Sequence, residues 1–185
     1  IHELGDLVGD LMQLSRGVLS TDSAELVDLS DVANRAIERV QRRAPDLRFT
    51  VDIDSWWVEG DPSALERAVT NLLDNAAKWS PASGEVHVIL KDGQLTVADN
   101  GPGIPEADQL RVFERFYRAP DARGLPGSGL GLAIVAQTAQ QHGGQVIATR
   151  ANSGGAQLTM RLPGTATMPQ VSQQTGSPAR PSEIA

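Results

Sequence analysis

The stretch "DPSALERAVTNLLDNAAKW", residues 61–79, constrains the fold more than any other part of the chain. Asp61 offers a side-chain acceptor to the free amides of a first helical turn, Pro62 suits the first helical position, and Pro81 lies beyond the end. Leu65, Val69, Leu72, Leu73 and Ala76 recur at helical spacing, so they make one apolar face that needs a sheet to pack on. Asn71, Asn75 and Lys78 stand at i, i+4 and i+7 and project together from another face. Two carboxamides and an ammonium are either an ordinary solvated surface or one wall of a site for a hard cation and phosphate.

The flanking segments define what that helix packs against. "SDVANRAIERVQRRA" predicts a helix starting at a Ser30 cap and stopping before Pro45. "LRFTVDI" alternates as a strand does, and "WWVEG" reads as a short second one. "EVHVILKDGQLTVAD" predicts a hairpin with its turn at Asp92-Gly93. "GLAIVAQTAQQHGG" predicts a helix closed by glycine, and "QVIATR" and "AQLTMRL" a second hairpin across "ANSGG". Strands and helices do not alternate regularly, which argues against a doubly wound parallel sheet. The fold class expected for residues 29–163 is a two-layer α/β sandwich, a mixed sheet covered by helices on one face.

Outside that block, residues 1–18 read as an amphipathic helix. Its stripe of Ile1, Leu4, Val8, Leu11 and Val18 cannot be buried by one helix alone and suits a bundle, the alternative being a helix packed on the domain behind it. Residues 19–28 read as a linker, and the Pro/Ser/Gln-rich stretch from Gly164 to Ala185 as a disordered tail. The chain has no cysteine, so disulfides and thiolate metal sites are excluded. No apolar run approaches the roughly 20 residues of a membrane-spanning helix, and no signal peptide is recognisable. A net charge of −7 argues against non-specific nucleic-acid binding, while leaving room for a small anionic ligand held by a few aimed donors.

Two more stretches carry candidate chemistry. In "VADNGPGIP" a strand ends at Asp99, and Gly101 and Gly103 let backbone approach a ligand closely. A carboxylate there can accept from the exocyclic amine of adenine, whereas guanine presents a carbonyl that repels it. The alternative is a plain surface turn. In "GSGLGLAIV", Gly127, Gly129 and Gly131 open a helix whose amides make a plausible phosphate cradle. It is neither a Walker loop nor a dinucleotide fingerprint.

Taken in order, these three stretches resemble the N, G1 and G2 boxes of the catalytic and ATP-binding domain of bacterial two-component sensor histidine kinases. That domain shares a superfamily with gyrase, Hsp90 and MutL. "FERFYR" at 113–118 resembles the family's F box, and "HGG" and "GGAQLTMRLP" resemble its usual ending. The resemblance covers roughly residues 29–163 and implies a site for ATP and Mg²⁺. It implies that Asn75 gives an oxygen to the metal, that Asn71 supports the same face, and that Lys78 reaches the phosphates. Trp79 would pack beside adenine or ribose, or simply close the helix end. Asp99 would take the adenine amine, with Gly101, Gly103 and Ile104 around the base. Gly127, Ser128, Gly129, Leu130, Gly131 and Leu132 would wrap the phosphates. Residues 104–127 would form a mobile ATP lid, in which Arg115 and Arg118 either steady transferring charge or make lid salt bridges.

In hydrolysing relatives a water-activating glutamate stands where this chain has Asn71, and an amide cannot act as that base. The resemblance therefore implies a kinase, passing phosphate to a histidine and on to an aspartate of a response regulator. His2-Glu3-Leu4 begins like the family's acceptor motif but lacks its Arg-Thr-Pro half. Residues 1–18 resemble instead the second helix of the dimerising hairpin, so the acceptor is expected outside this sequence and His2 is a fortuitous match. His87, on a strand, and His142, before a glycine pair, lack acceptor context. The implied setting is the cytoplasmic domain of a membrane-anchored sensor, homodimeric in the intact protein, with no nucleic-acid partner. A serine kinase of the anti-sigma type and a non-catalytic interaction module are the rival readings.

Overall fold

The structure, a computed structural model, describes residues 24–119 and 127–169. The expected helix over 1–18, the first part of the linker, the middle of the lid and most of the tail lie outside the described residues.

Strand β1 (Glu25–Asp28) leads directly into helix α1 (Leu29–Arg43). Asp28 rather than Ser30 caps that helix, its Oδ1 accepting the Ser30 N–H at 2.9 Å. The same oxygen takes the Trp56 N–H at 3.3 Å, which pins the helix start to strand β3 (Trp57–Gly60). β1 pairs with β3 antiparallel, so four residues expected as linker are strand. Thr165, expected in the tail, exchanges backbone hydrogen bonds with Trp57 at 2.7 and 3.0 Å.

The main sheet is built from β2 (Arg48–Ile53), β4 (Glu85–Lys91), β5 (Gln94–Ala98), β6 (Gln145–Arg150) and β7 (Ala156–Arg161). Its strand order is β2-β4-β5-β7-β6; β2 and β4 run parallel and the other pairs antiparallel, so the sheet is mixed. Alternation assigns the faces. Val86, Val88, Leu90, Leu95, Val97, Leu158 and Met160 are buried, while Ile89 and Ile147 on the opposite face are exposed. Helix α2 (Pro62–Trp79) lays Leu65, Val69, Leu72, Leu73 and Ala76 into that core, as its spacing predicts. Each buried leucine contributes about 1.5–3 kcal/mol relative to exposure. α1 adds Val32, Ala36, Ile37 and Val40, and α3 (Gly131–Gln141) adds Val135 and Ala139.

Between β5 and α3 the chain makes two short 3-10 turns, Glu106–Asp108 and Arg111–Phe113. Ile104, Val112 and Phe113 pack from this segment onto the core. The Tyr117 hydroxyl donates to Asp108 at 2.6 Å and the Arg111 guanidinium lies 4.4 Å from the Tyr117 ring centre, bracing the segment internally.

Candidate functional site

A cleft of about 710 Å³ opens between α2, the end of β5, the start of α3 and residues 102–119. All the site residues singled out in the sequence line it except Gly101, Arg115 and Leu130.

The first wall is the polar face of α2. Asn71 and Asn75 are half-buried there. The Asn71 Nδ2 is buried without a hydrogen-bond partner among the described residues. A Cβ placed at Gly131 would sit 3.5 Å from Asn71 Oδ1, so this amide abuts the start of α3. Lys78 is exposed overall, yet partial burial, followed by the facing Arg118 guanidinium, holds its ammonium below lysine's ordinary value. Its Nζ lies 5.4 Å from the Trp79 ring centre.

The second wall is Asp99, only 2% exposed at the end of β5. The Gly101 N–H donates to its Oδ1 at 2.8 Å and the Ala156 N–H to the same atom at 3.1 Å. With both bonds on Oδ1, Oδ2 is left to the cleft. Burial pushes this carboxyl above its ordinary value, and the two amide donors pull partly against that. Gly155 makes the strap possible, since a Cβ there would lie 2.0 Å from the Asp99 carbonyl oxygen. Gly101 thus serves the site by holding Asp99 rather than by facing the cleft.

The third wall is the turn into α3. Gly129 adopts φ of +75°, and a Cβ there would meet Phe116 backbone at 2.9 Å, so glycine is required on both counts. Its carbonyl accepts the Phe116 N–H at 3.0 Å, which joins the turn to residues 104–119. A Cβ at Gly127 would lie 3.1 Å from Lys78 Nζ, which brings the first and third walls together. Ser128, Gly131 and Leu132 line the cleft beside them, whereas Leu130 is fully buried and packs on Ile134. Leu130 therefore anchors the turn and faces away from the cleft. Arg118 reaches the cleft, but Arg115 is directed to Gln137 on the outer side of α3, 3.5 Å away.

Several lining residues were not read from the sequence, among them Asp74, Tyr117 and Arg150. Asp74 follows Asn71 by three residues and could have been found by helical spacing. Arg150 continues the inward-facing series of Val146 and Ala148 on β6, an arginine where alternation asks for an apolar residue. That mismatch was its only signal.

Among the described residues, no group of three or more His, Cys, Asp or Glu side chains could hold a metal. Any divalent cation here would take one or two amide oxygens from α2 and fill its other positions from a ligand and water. That donor set suits Mg²⁺ arriving on phosphates.

The five-stranded mixed sheet, helix-covered on one face with a polar cleft at the start of α3, is the α/β sandwich of histidine-kinase ATPase domains. The profile of the family described as "Histidine kinase-, DNA gyrase B-, and HSP90-like ATPase" matches residues 60–166, more than half the chain. The signal transduction histidine-protein kinase/phosphatase MprB of Mycolicibacterium smegmatis is 49% identical over 173 residues, 89% of this chain and 35% of its own length. Among solved structures, a mycobacterial sensor histidine kinase MprB is 47% identical with a TM-score of 0.71, over 76% of this chain and 98% of that one. The ATP binding domain of PrrB from Mycobacterium tuberculosis is 34% identical with a TM-score of 0.62, over 77% of this chain and 98% of that one. The chain belongs to the histidine kinase, gyrase B and HSP90-like ATPase family. It spans about a third of the length of the curated relatives it matches.

Proposed function

We propose that this chain is the ATP-binding, catalytic part of a sensor histidine kinase. The observation that carries the reading is the convergence of the three walls on one cleft: a buried carboxylate whose Oδ2 the Gly101 and Ala156 amides leave unused at one end, and Lys78, Arg118 and the glycine turn at the other.

Asp99 Oδ2 accepts from the adenine amine and rejects the guanine carbonyl, Ile104 and Trp79 bound the purine, and the amides of 127–131 with Lys78 neutralise the phosphates. Mg²⁺ held by Asn75 Oδ1, with Asn71 beside it, would supply further charge neutralisation. The chain's own residues position the γ-phosphate, and the Asn71 amide cannot take a proton from water. The phosphoryl group passes to an imidazole nitrogen of a histidine: the new P–N bond forms as the β–γ bridging P–O bond breaks and ADP leaves. His87 stands on the outer face of the sheet and His142 is buried at the end of α3, so neither is that acceptor. From the acceptor the phosphoryl group goes to an aspartate of a response regulator. The intact protein is a homodimer whose kinase part lies in the cytoplasm, anchored by segments outside this sequence. No helix among the described residues is long and apolar enough to cross a membrane.

Calorimetric titration of ATP and GTP, with and without Mg²⁺, tests this reading on the wild type and Asp99→Ala. ATP should bind at about −6 to −8 kcal/mol, GTP should fail, and the alanine variant should lose most of the affinity. Equal binding of both purines would remove Asp99 from its role. A separately made acceptor hairpin, mixed with this chain and ATP, should then become phosphorylated on histidine.

A further inference from the structure

One buried side chain joins α3 to α2 at the end remote from the glycine turn. His142, 7% exposed, closes the C-terminus of α3. Its Nδ1 lies 2.7 Å from the Thr138 carbonyl oxygen, and its Nε2 lies 3.1 Å from the backbone nitrogen of Asp61. A carbonyl can only accept and an amide can only donate, so the two partners assign a neutral ring with its proton on Nδ1. The chain leaves room for that ring, since a Cβ at Gly60 would fall 2.1 Å from its Cδ2. Asp61 is in turn a fixed point of α2, its Oδ1 accepting from the Ser63 and Ala64 amides at 2.8 and 3.2 Å.

The other end of the same helix pair is at the cleft, where Gly131 abuts Asn71. From Gly131 to His142, and from Asn71 to Asp61, each helix runs about 15–17 Å at 1.5 Å per residue. The pair is thus antiparallel, with Gly131 beside the middle of α2 and His142 bonded at its start. Sliding α3 lengthwise would move the glycine turn past Asn71, Asn75 and Lys78, and the His142 bond opposes such a slide by a directional contact outside the cleft.

We propose that His142 is a positioning residue for the nucleotide's phosphates. By locking α3 lengthwise against α2, it sets the spacing between the glycine turn and the amides and ammonium of α2. The inference rests on the nucleotide reading of the cleft. Recognition of the base is independent of this lock, because Asp99 is held by Gly101 and Ala156 and not by α3.

His142→Asn keeps a donor for Thr138 but is too short to reach the Asp61 amide, whereas His142→Gln can serve both partners. Affinities for Mg²⁺-ATP and for adenosine are measured on each folded protein. The asparagine variant should lose about tenfold in ATP affinity, of the order of one hydrogen bond's worth of alignment, with adenosine affinity unchanged. The glutamine variant should recover most of the loss. Should the asparagine variant unfold, Gly60→Ala, which crowds the ring from its seat, takes its place in the same comparison. ATP and adenosine weakening in parallel, an unchanged ATP affinity, or a glutamine variant no better than asparagine would each overturn the proposal. A wild type that binds neither ligand overturns the nucleotide reading and this inference with it, whereas a wild type that binds both, beside an unaffected variant, overturns the inference alone.

Discussion

Asp99 sets stability against binding. Because burial raises its folded-state value, its contribution to stability is fully present below the ordinary carboxylate value of 3.8 and is lost as pH rises through the raised one. At neutral pH the carboxylate is thus an expense of the fold. Asp99→Asn keeps an Oδ1 for the Gly101 and Ala156 amides and removes the buried charge. Its melting temperature at pH 7 should equal or exceed that of the wild type, with the gap closing on acidification below 3.8. The same change turns a donor toward the cleft, so ATP affinity should fall by about tenfold or more while inosine nucleotides gain relative to adenosine ones. Lower stability together with retained ATP preference would contradict the assignment. Lys78 gives the opposite sign. A phosphate beside the ammonium favours its charged form, so ATP affinity should decline as pH climbs from neutrality toward 10.5, the decline beginning below that value. Lys78→Arg, charged throughout that range, should flatten the profile in titrations across it.

At the scale of elements, α2 was legible because its start, stop and two faces all point the same way: Asp61, Pro62, the leucine face and Pro81. Asp61→Ala should lower stability by about 1 kcal/mol in a denaturant melt, and should leave the bond to His142 in place because the backbone makes it. The β4–β5 hairpin was legible for a similar reason, its turn residues Asp92 and Gly93 both adopting positive φ, 48° and 73°. β1 was not, since four residues cannot display a period and their partner β3 lies some thirty residues on, a pairing that no local pattern announces. Nor could alternation reveal that β2 joins β4 in parallel. Within the site, the motif residues were readable because each needs a particular type: an amide, a carboxylate, a glycine. Leu130 and Arg115 sit inside the same motifs yet face elsewhere, because a motif gives neighbours in sequence and only the turn geometry decides which of them look inward. Gly129→Ala tests that geometry. Alanine at φ of +75° costs about 1–2 kcal/mol and also meets Phe116, so nucleotide affinity and melting temperature should fall together.

At the scale of the whole molecule, a chain with a net charge of −7 gathers Lys78, Arg118 and Arg150 around one cleft. Local cations on an acidic body suit a small polyanion, and binding should weaken with added salt as those charges are screened. The central claim is that one ligand touches all three walls at once. A two-dimensional amide NMR titration with Mg²⁺-ATP reads each wall separately: the side-chain amides of Asn71 and Asn75, the Gly101 and Ala156 amides, and the amides of residues 127–131. All three groups should shift on a single binding curve with one dissociation constant. Shifts confined to one wall, or walls titrating with different constants, would contradict it.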